Sequence, residues 1–440
     1  MARRPKYPPL RVYLNNRLVG HLLREPSGAV EFRYDPSWLE REIALPVSLS
    51  LPLREDAYRG EAVVAVFENL LPDSEALRRR VAERVGANGT DAYSMLASIG
   101  HDCIGALQFI AGDEEVPSDA VISGEAVDDE AIEKMLNNLA QAPLGLDRDD
   151  DFRISVAGAQ EKTALLWHED RWLKPHGTTP TTHILKTQIG RLPNGIDLSN
   201  SVENEYYCLK LAEAFGLQVN PARIMRFGKT MALVVERFDR RWTQGGRLLR
   251  LPQEDCCQAL SVPPTRKYEN EGGPGIAAIL GLLKGSDTPA RDQKTFLVAQ
   301  MFFWIIAATD GHAKNFSVFL EPGGGFRLTP LYDVLTAQPS LDSHQIDRKQ
   351  MKLAMCVGDG RHYRIDQIHP RHFFQTAAAA RIPSSVAKSA IEHVAEHGVG
   401  ALDAVAQKLS DGFPQQIHES VRAAAIPRIK ALEAAEGAHW

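Results

Sequence analysis

Hydrophobic and polar residues alternate over Leu10 to Leu14 and again over Ala29 to Tyr34, the period of a half-buried strand. Asn15-Asn16 follows the first run and predicts a hairpin turn. Leu45 to Leu53 also has period two, with Pro46 and Pro52 near its ends, and predicts an edge strand. Asp73 or Ser74 is placed to cap a helix running through Arg80 and Val85. Residues 1–110 therefore predict an N-terminal α/β subdomain.

Residues 111–130 are acidic and rich in small side chains, which predicts a loop or linker, and a second acidic stretch follows at Asp147 to Asp151. Up to about residue 240 the pattern is strand-rich. Thr163 to Trp167 and Trp172 to Lys174 predict a hairpin around His168 to Arg171, with further strands at His183 to Ile189 and Met231 to Glu236. Asn200 and Glu203 have capping-box spacing. Val202, Tyr206, Leu209 and Ala212 continue at helical spacing, and Gly216 stops that helix. Past about residue 250 the chain reads as mostly helical. The exceptions are two short strands, Phe316 to Leu320 and Phe326 to Thr329, around Glu321-Pro-Gly-Gly-Gly325. The predicted class is α+β, with 111–240 as a strand-rich lobe and 241–440 as a helical one.

Composition narrows the function class. Over 440 residues, 44% are hydrophobic and 24% charged, an ordinary globular mix. The net charge of −6 argues against coating nucleic acid by bulk charge. Cys103, Cys208, Cys256, Cys257 and Cys356 are odd in number and lack CxxC spacing, which fits a reducing cytoplasm better than a disulfide framework. The basic N-terminus runs into Tyr7-Pro-Pro9 rather than an apolar region, so no signal peptide is expected. The most apolar run, Phe296 to Ala308, carries Gln300 and is too short to cross a bilayer, so it predicts a buried core helix and no membrane association.

The candidate chemistry begins at Asp310-Gly-His-Ala-Lys-Asn315, with Asp333 eighteen residues beyond Asn315. Phosphoryl transfer needs a carboxylate to take the attacking hydroxyl's proton and oxygen ligands for Mg²⁺. Protein kinases space an Asp, an Asn and a second Asp in this way, with a hairpin between the last two. Asp310 would be the base, and Asn315 and Asp333 the metal ligands. An Asp-Gly pair equally caps a turn. Upstream, Ile154 to Lys162 has small residues at 157–159 that let backbone N–H groups approach a phosphate. It matches neither a Walker motif nor the usual kinase glycine loop, and a plain turn has the same composition. Lys186 is a lone lysine on an apolar strand, where a kinase puts its phosphate-pairing lysine, with Glu203 or Glu205 as its candidate carboxylate. A snorkelling edge lysine reads the same way. Glu236 to Phe238 end an extended run that could serve adenine through its backbone. The four features occur once each and in kinase order.

These residues, read in longer strings, resemble the HipA family, the kinase toxins of HipBA toxin–antitoxin modules. The resemblance rests on Phe152 to Leu166, Pro180 to Ile184, Val235 to Trp242 and Ala308 to Ser317. It extends through Leu49 to Leu53, Asn69 to Ser74, Leu251 to Asp255, Gly272 to Ile276 and Pro370 to Phe373, nearly the whole chain. It implies a bilobed protein-kinase-like fold, related to phosphoinositide kinases, with an added N-terminal subdomain. It implies ATP and Mg²⁺ as cofactors. Ala157, Gly158, Ala159, Gln160, Glu161, Lys162 and Lys186 would hold the phosphates. Glu236, Arg237 and Phe238 would serve the adenine. His312, Ala313, Lys314, Asn315, Tyr332 and Asp333 would complete the nucleotide and metal site. Ser155 matches a self-phosphorylated serine whose modification silences the enzyme, and a dianion there would repel the nucleotide phosphates.

The implied partners are a HipB-like helix-turn-helix antitoxin, operator DNA reached mainly through it, and tRNA-bound glutamyl-tRNA synthetase as substrate. Phosphorylation of that synthetase would inhibit translation and promote persistence. One departure concerns DNA. Arg381 matches one residue of a basic pair, but Ala377 to Ala380 replaces the region of the other, so direct contact would be weak and salt-sensitive. Two other readings are a nucleotide-binding co-repressor with little trans-kinase activity and a small-molecule kinase on the same scaffold.

Overall fold

The computed structural model describes residues 7–112, 122–146, 151–158 and 160–435. The chain divides into two compact units, neither continuous in sequence. The first takes residues 1–187, 225–265 and 318–325; the second takes 188–224, 266–317 and 326–440.

In the first unit, Leu10–Leu14 pairs antiparallel with Arg17–Arg24 across a turn in which Asn15 and Asn16 both have positive φ. Such turns match the right-handed twist of the strands they join. Val30–Tyr34 and Tyr58–Arg59 extend the sheet on one side and Leu107–Ala111 on the other. Ser74 caps the helix Glu75–Val85, as its sequence predicts. The edge strand expected over Leu45 to Leu53 does not form. Pro46 and Pro52 cannot donate to a ladder. Ser48 Oγ and the Leu49 N–H donate instead to the buried carboxylate of Glu254, at 2.5 and 2.7 Å.

A second antiparallel sheet sets Thr230–Glu236, His183–Thr187, Lys162–His168, Arg171–Pro175 and Gly124–Val127 side by side. Within the segment expected to be a linker, Gly124–Val127 is thus a strand, and Asp128 caps a helix over Asp129–Asn137. Ile132 and Leu136 of that helix share a core with Leu165, Trp172, Leu185 and Val234 of the sheet. The N-terminal core does not stop at residue 110: Leu144, Phe152, Ile154, Val156 and Ala164 belong to it. This continuity ties the segment before Lys162 to the sheet of Leu10–Leu14.

The second unit is mostly helical. The predicted apolar helix runs over Pro289–Ile306 and is buried almost all round, so its missing polar face is explained by burial rather than by a membrane. Ser384–Ala406 and Gln415–Ala435 pack against it. Among the described residues, no helix is long and apolar enough to cross a membrane. Two local expectations differ. The Asn200 side chain makes no capping bond. The Val202 N–H goes to Gln188 Oε1, while Gln188 Nε2 donates to Glu203. A hairpin of Lys352–Val357 and His362–Arg364 also interrupts the helical region. Lys-Leu-Ala-Met-Cys-Val does not alternate, and only the fold shows it to be a strand.

Candidate active site

The first unit carries the small-residue segment. Ile154–Ser155 pairs parallel with Asp102–Cys103, which draws Ser155 wholly inside. Ser155 Oγ donates to the Leu70 carbonyl at 2.7 Å. Beyond it the Asp73 N–H donates to the Gly158 carbonyl at 3.3 Å. Gly158 has φ +108°, a left-handed backbone that favours glycine. Lys162 Nζ donates to the Ala157 carbonyl at 2.5 Å, and Gln160 Nε2 to the Thr187 carbonyl at 3.0 Å. Lys162 and Lys186 are directly opposed on adjacent antiparallel strands, and both are buried. Like charges so placed repel.

Other sequence-predicted residues in this unit have different engagements. Glu161 is half-buried and pairs with Arg80 at 2.9 Å. Glu236 is exposed opposite His183. Phe238 lies edge-on to Phe319. The Arg237 side chain is fully buried between Asp102 and Asp239, and its N–H donates to the Thr182 carbonyl at 2.8 Å. Arg237 therefore offers adenine neither its side chain nor its N–H. Ala159 lies outside the described residues.

Arg237 belongs to a cluster that sequence reading missed. Asp102 accepts from Arg237, Arg240 and Arg250, and from the N–H and hydroxyl of Thr181. The Cys103, Gly105 and Thr178 carbonyls take further guanidinium donors. Burial alone would push the Asp102 carboxyl up, but the three guanidiniums hold it well below the usual carboxylate range. The signal was Arg237, Asp239, Arg240 and Arg250 close together in sequence, with no hint of the partner at Asp102.

The second unit carries the acid and amide residues. The helix Pro289–Ile306 ends on Ala307 in the left-handed region, and the chain turns at once through Asp310 to Asn315. Gly311 fits because a Cβ there would lie 2.3 Å from the Phe303 ring. The His312 N–H donates to the Asp310 carbonyl, and the Asn315 N–H to the His312 carbonyl, each at 2.9 Å. Asp310 is exposed, whereas His312, Ala313, Lys314 and Asn315 are buried. Tyr268, not foreseen from sequence, donates its hydroxyl to Asp310 Oδ1 at 2.5 Å, and its ring stands edge-on to His312.

Asp333 has φ +58°, an uncommon backbone for a residue with a side chain. Asn315 Nδ2 lies 3.5 Å from both the carbonyl and Oδ2 of Asp333, while Asn315 Oδ1 is buried without a hydrogen-bond partner. Tyr332 turns its hydroxyl to the Lys314 carbonyl at 2.8 Å and to Ser317 at 2.5 Å, bracing this loop. The Thr329 N–H donates to the Ser317 carbonyl at 2.9 Å, bringing Asp333 back beside Asn315. A carboxylate beside an orphaned amide oxygen is a hard donor set suited to a small divalent cation. Among the described residues no cluster of three or more His, Cys, Asp or Glu side chains could hold a metal by itself. Such a cation would need further oxygens from a ligand. Arg381 is exposed, in a left-handed turn after the helix Pro370–Ala379.

Comparison with known proteins places the chain in one family. Residues 154–402 match the model of the HipA-like C-terminal domain, and residues 10–110 that of the HipA N-terminal domain. A Sinorhizobium fredii protein named "Putative kinase Y4mE" is 35% identical, over 80% of this chain and 83% of its own length. The serine/threonine-protein kinase toxin HipA of Shewanella oneidensis is 27% identical, over 80% of this chain and 78% of its own. In fold, the chain is similar to a solved structure of the Shewanella oneidensis MR-1 toxin–antitoxin system, a complex of HipA, HipB and operator DNA. The TM-score is 0.80 at 22% identity, covering 98% of this chain and 100% of that one.

Proposed function

The chain belongs to the HipA family, with its α+β kinase-like fold, and on that premise we propose that it is an ATP-dependent serine/threonine protein kinase, the toxin of a toxin–antitoxin pair. The observation that carries this is the orphaned Asn315 oxygen beside Asp333, five residues from an exposed Asp310. Asn315 and Asp333 would hold Mg²⁺, which when bound neutralises charge on the ATP phosphates. Lys162 and Lys186 do the same with fixed positive charge, and the backbone of Ala157 and Gly158 lies against the phosphates. Asp310 accepts the acceptor hydroxyl's proton as its oxygen bonds to the γ-phosphorus. The bond from that phosphorus to the bridging oxygen breaks, and ADP leaves. Positioning and electrostatics supply most of the rate.

Ser155 is the proposed self-phosphorylation site. Its buried hydroxyl, bound to Leu70, must first leave the pairing with Cys103. The proposed acceptor in trans is a serine of tRNA-bound glutamyl-tRNA synthetase, whose modification would slow translation and favour persistence. The relative of known structure is seen with HipB and operator DNA. A helix-turn-helix antitoxin is accordingly the proposed partner here, with co-repression of the operon through it and Arg381 making at most a salt-sensitive contact.

The test is phosphate transfer from labelled ATP with mass-spectrometric site mapping, on wild type, Asp310→Gln and Asp333→Gln. Phosphate on Ser155 in wild type, and none in either variant, is the expected result. A folded, nucleotide-binding, initially unphosphorylated wild type that labels neither itself nor the synthetase would leave the co-repressor and small-molecule kinase readings.

A further inference from the structure

The hairpin of Lys352–Val357 and His362–Arg364 borders a recess of about 460 Å³ in the second unit. Tyr268 and Thr309 form the wall nearest Asp310, Leu353 and Ala354 give it apolar surface, and its charged lining is Lys352, Arg361 and Arg364. The lining includes no aspartate or glutamate.

Lys352 and Arg364 are opposed across the two strands, a like-charge pair that a sheet tolerates better with an anion against it. Arg364 is partly balanced by Asp366, at 2.6 Å, and Arg361 by Glu269, at 3.5 Å. Both arginines thus keep donors beyond those they already use. Tyr268 reaches from this recess to Asp310, so the recess adjoins the group proposed to take the acceptor's proton.

We propose that this recess is the acceptor-binding subsite, and that it selects a protein segment carrying an aspartate or glutamate close in sequence to the phosphorylated serine. The inference rests on the kinase reading. A peptide carboxylate fits better than a nucleic acid strand. The recess is local and partly apolar, two of its three cations already have carboxylate partners, and the chain is net acidic.

The experiment uses the full chain and serine peptides of neutral sequence with one Glu or one Lys at each position flanking the serine. Each peptide's kcat/KM is measured beside labelling of Ser155. Glu at one or two positions should raise kcat/KM about tenfold over Lys. In the double variant Lys352→Glu, Arg364→Glu, ATP binding by titration should be unchanged while the peptide preference shifts to Lys. Equal use of all peptides by a chain that labels Ser155, or a preference untouched by the charge reversal, would overturn the subsite. So would competition by a short oligoribonucleotide with no dependence on peptide charge. A chain that labels neither Ser155, nor any peptide, nor the tRNA-bound synthetase would instead refute the protein-kinase reading, and the subsite would fall with it.

Discussion

Lys162 and Lys186 face each other from neighbouring strands, and no single-residue rule would put two buried ammonium groups there for stability alone. Replacing Lys186 by Met should weaken ATP binding by roughly tenfold or more in a chain that still unfolds cooperatively. Isothermal titration with ATP, paired with a melt, measures both. Tyr268 donates to Oδ1 of Asp310, the proposed base, and on that reading is a positioning residue. Tyr268→Phe should lower kcat by about tenfold with KM for ATP unchanged. A structural role alone would move the melting temperature and leave that split unseen.

Among the elements, the segment Leu45 to Leu53 is held by a carboxylate where a strand was expected. Burial pushes Glu254 up to about 8, opposed by the Leu49 and Ser48 hydrogen bonds. The folded state thus binds a proton that the unfolded chain, at an ordinary glutamate value, has released. Stability from this group is full below the unfolded value near 4.5 and is lost as pH rises through about 8. Urea midpoints should fall between pH 5 and 9, and Glu254→Gln should flatten that slope. A wild-type slope equal to the variant's would remove Glu254 as its source. The turn after the helix Pro289–Ile306 has its own requirement. Gly311→Ala puts a methyl into the Phe303 ring and should cost about 1–3 kcal/mol, read from the same urea curves.

At the scale of the molecule, the first unit draws on three separate stretches of chain. His183–Thr187 has Thr230–Glu236 as one of its two sheet neighbours, and Asp102 has its arginines at 237, 240 and 250. A fragment ending at residue 187 loses that strand and strands the buried Asp102 charge, so it should show no cooperative unfolding by circular dichroism. In the whole chain, Asp102→Ala leaves three buried guanidiniums short of a carboxylate. It should cost about 3–5 kcal/mol, the range for breaking a buried ion cluster by removing one partner.

The sequence alone determined the elements whose cause is local: the Asn15-Asn16 turn, the Ser74 cap, the hairpin at Glu169-Asp170 and the buried helix before Asp310. Each is set by the conformational preference or hydrophobic period of a few neighbouring residues. The spacing from Asp310 through Asn315 to Asp333 was legible for the same reason, since one hairpin spans it. Tertiary structure decided everything that depends on partners far along the chain. It set Lys162 against Lys186, buried Ser155 with its hydroxyl on the Leu70 carbonyl, and drew the Arg237 side chain into an ion cluster. It also brought Tyr268 to Asp310 across 42 positions. Charge pairing and desolvation act through space, and a linear pattern carries no record of which distant groups will share a dry interior.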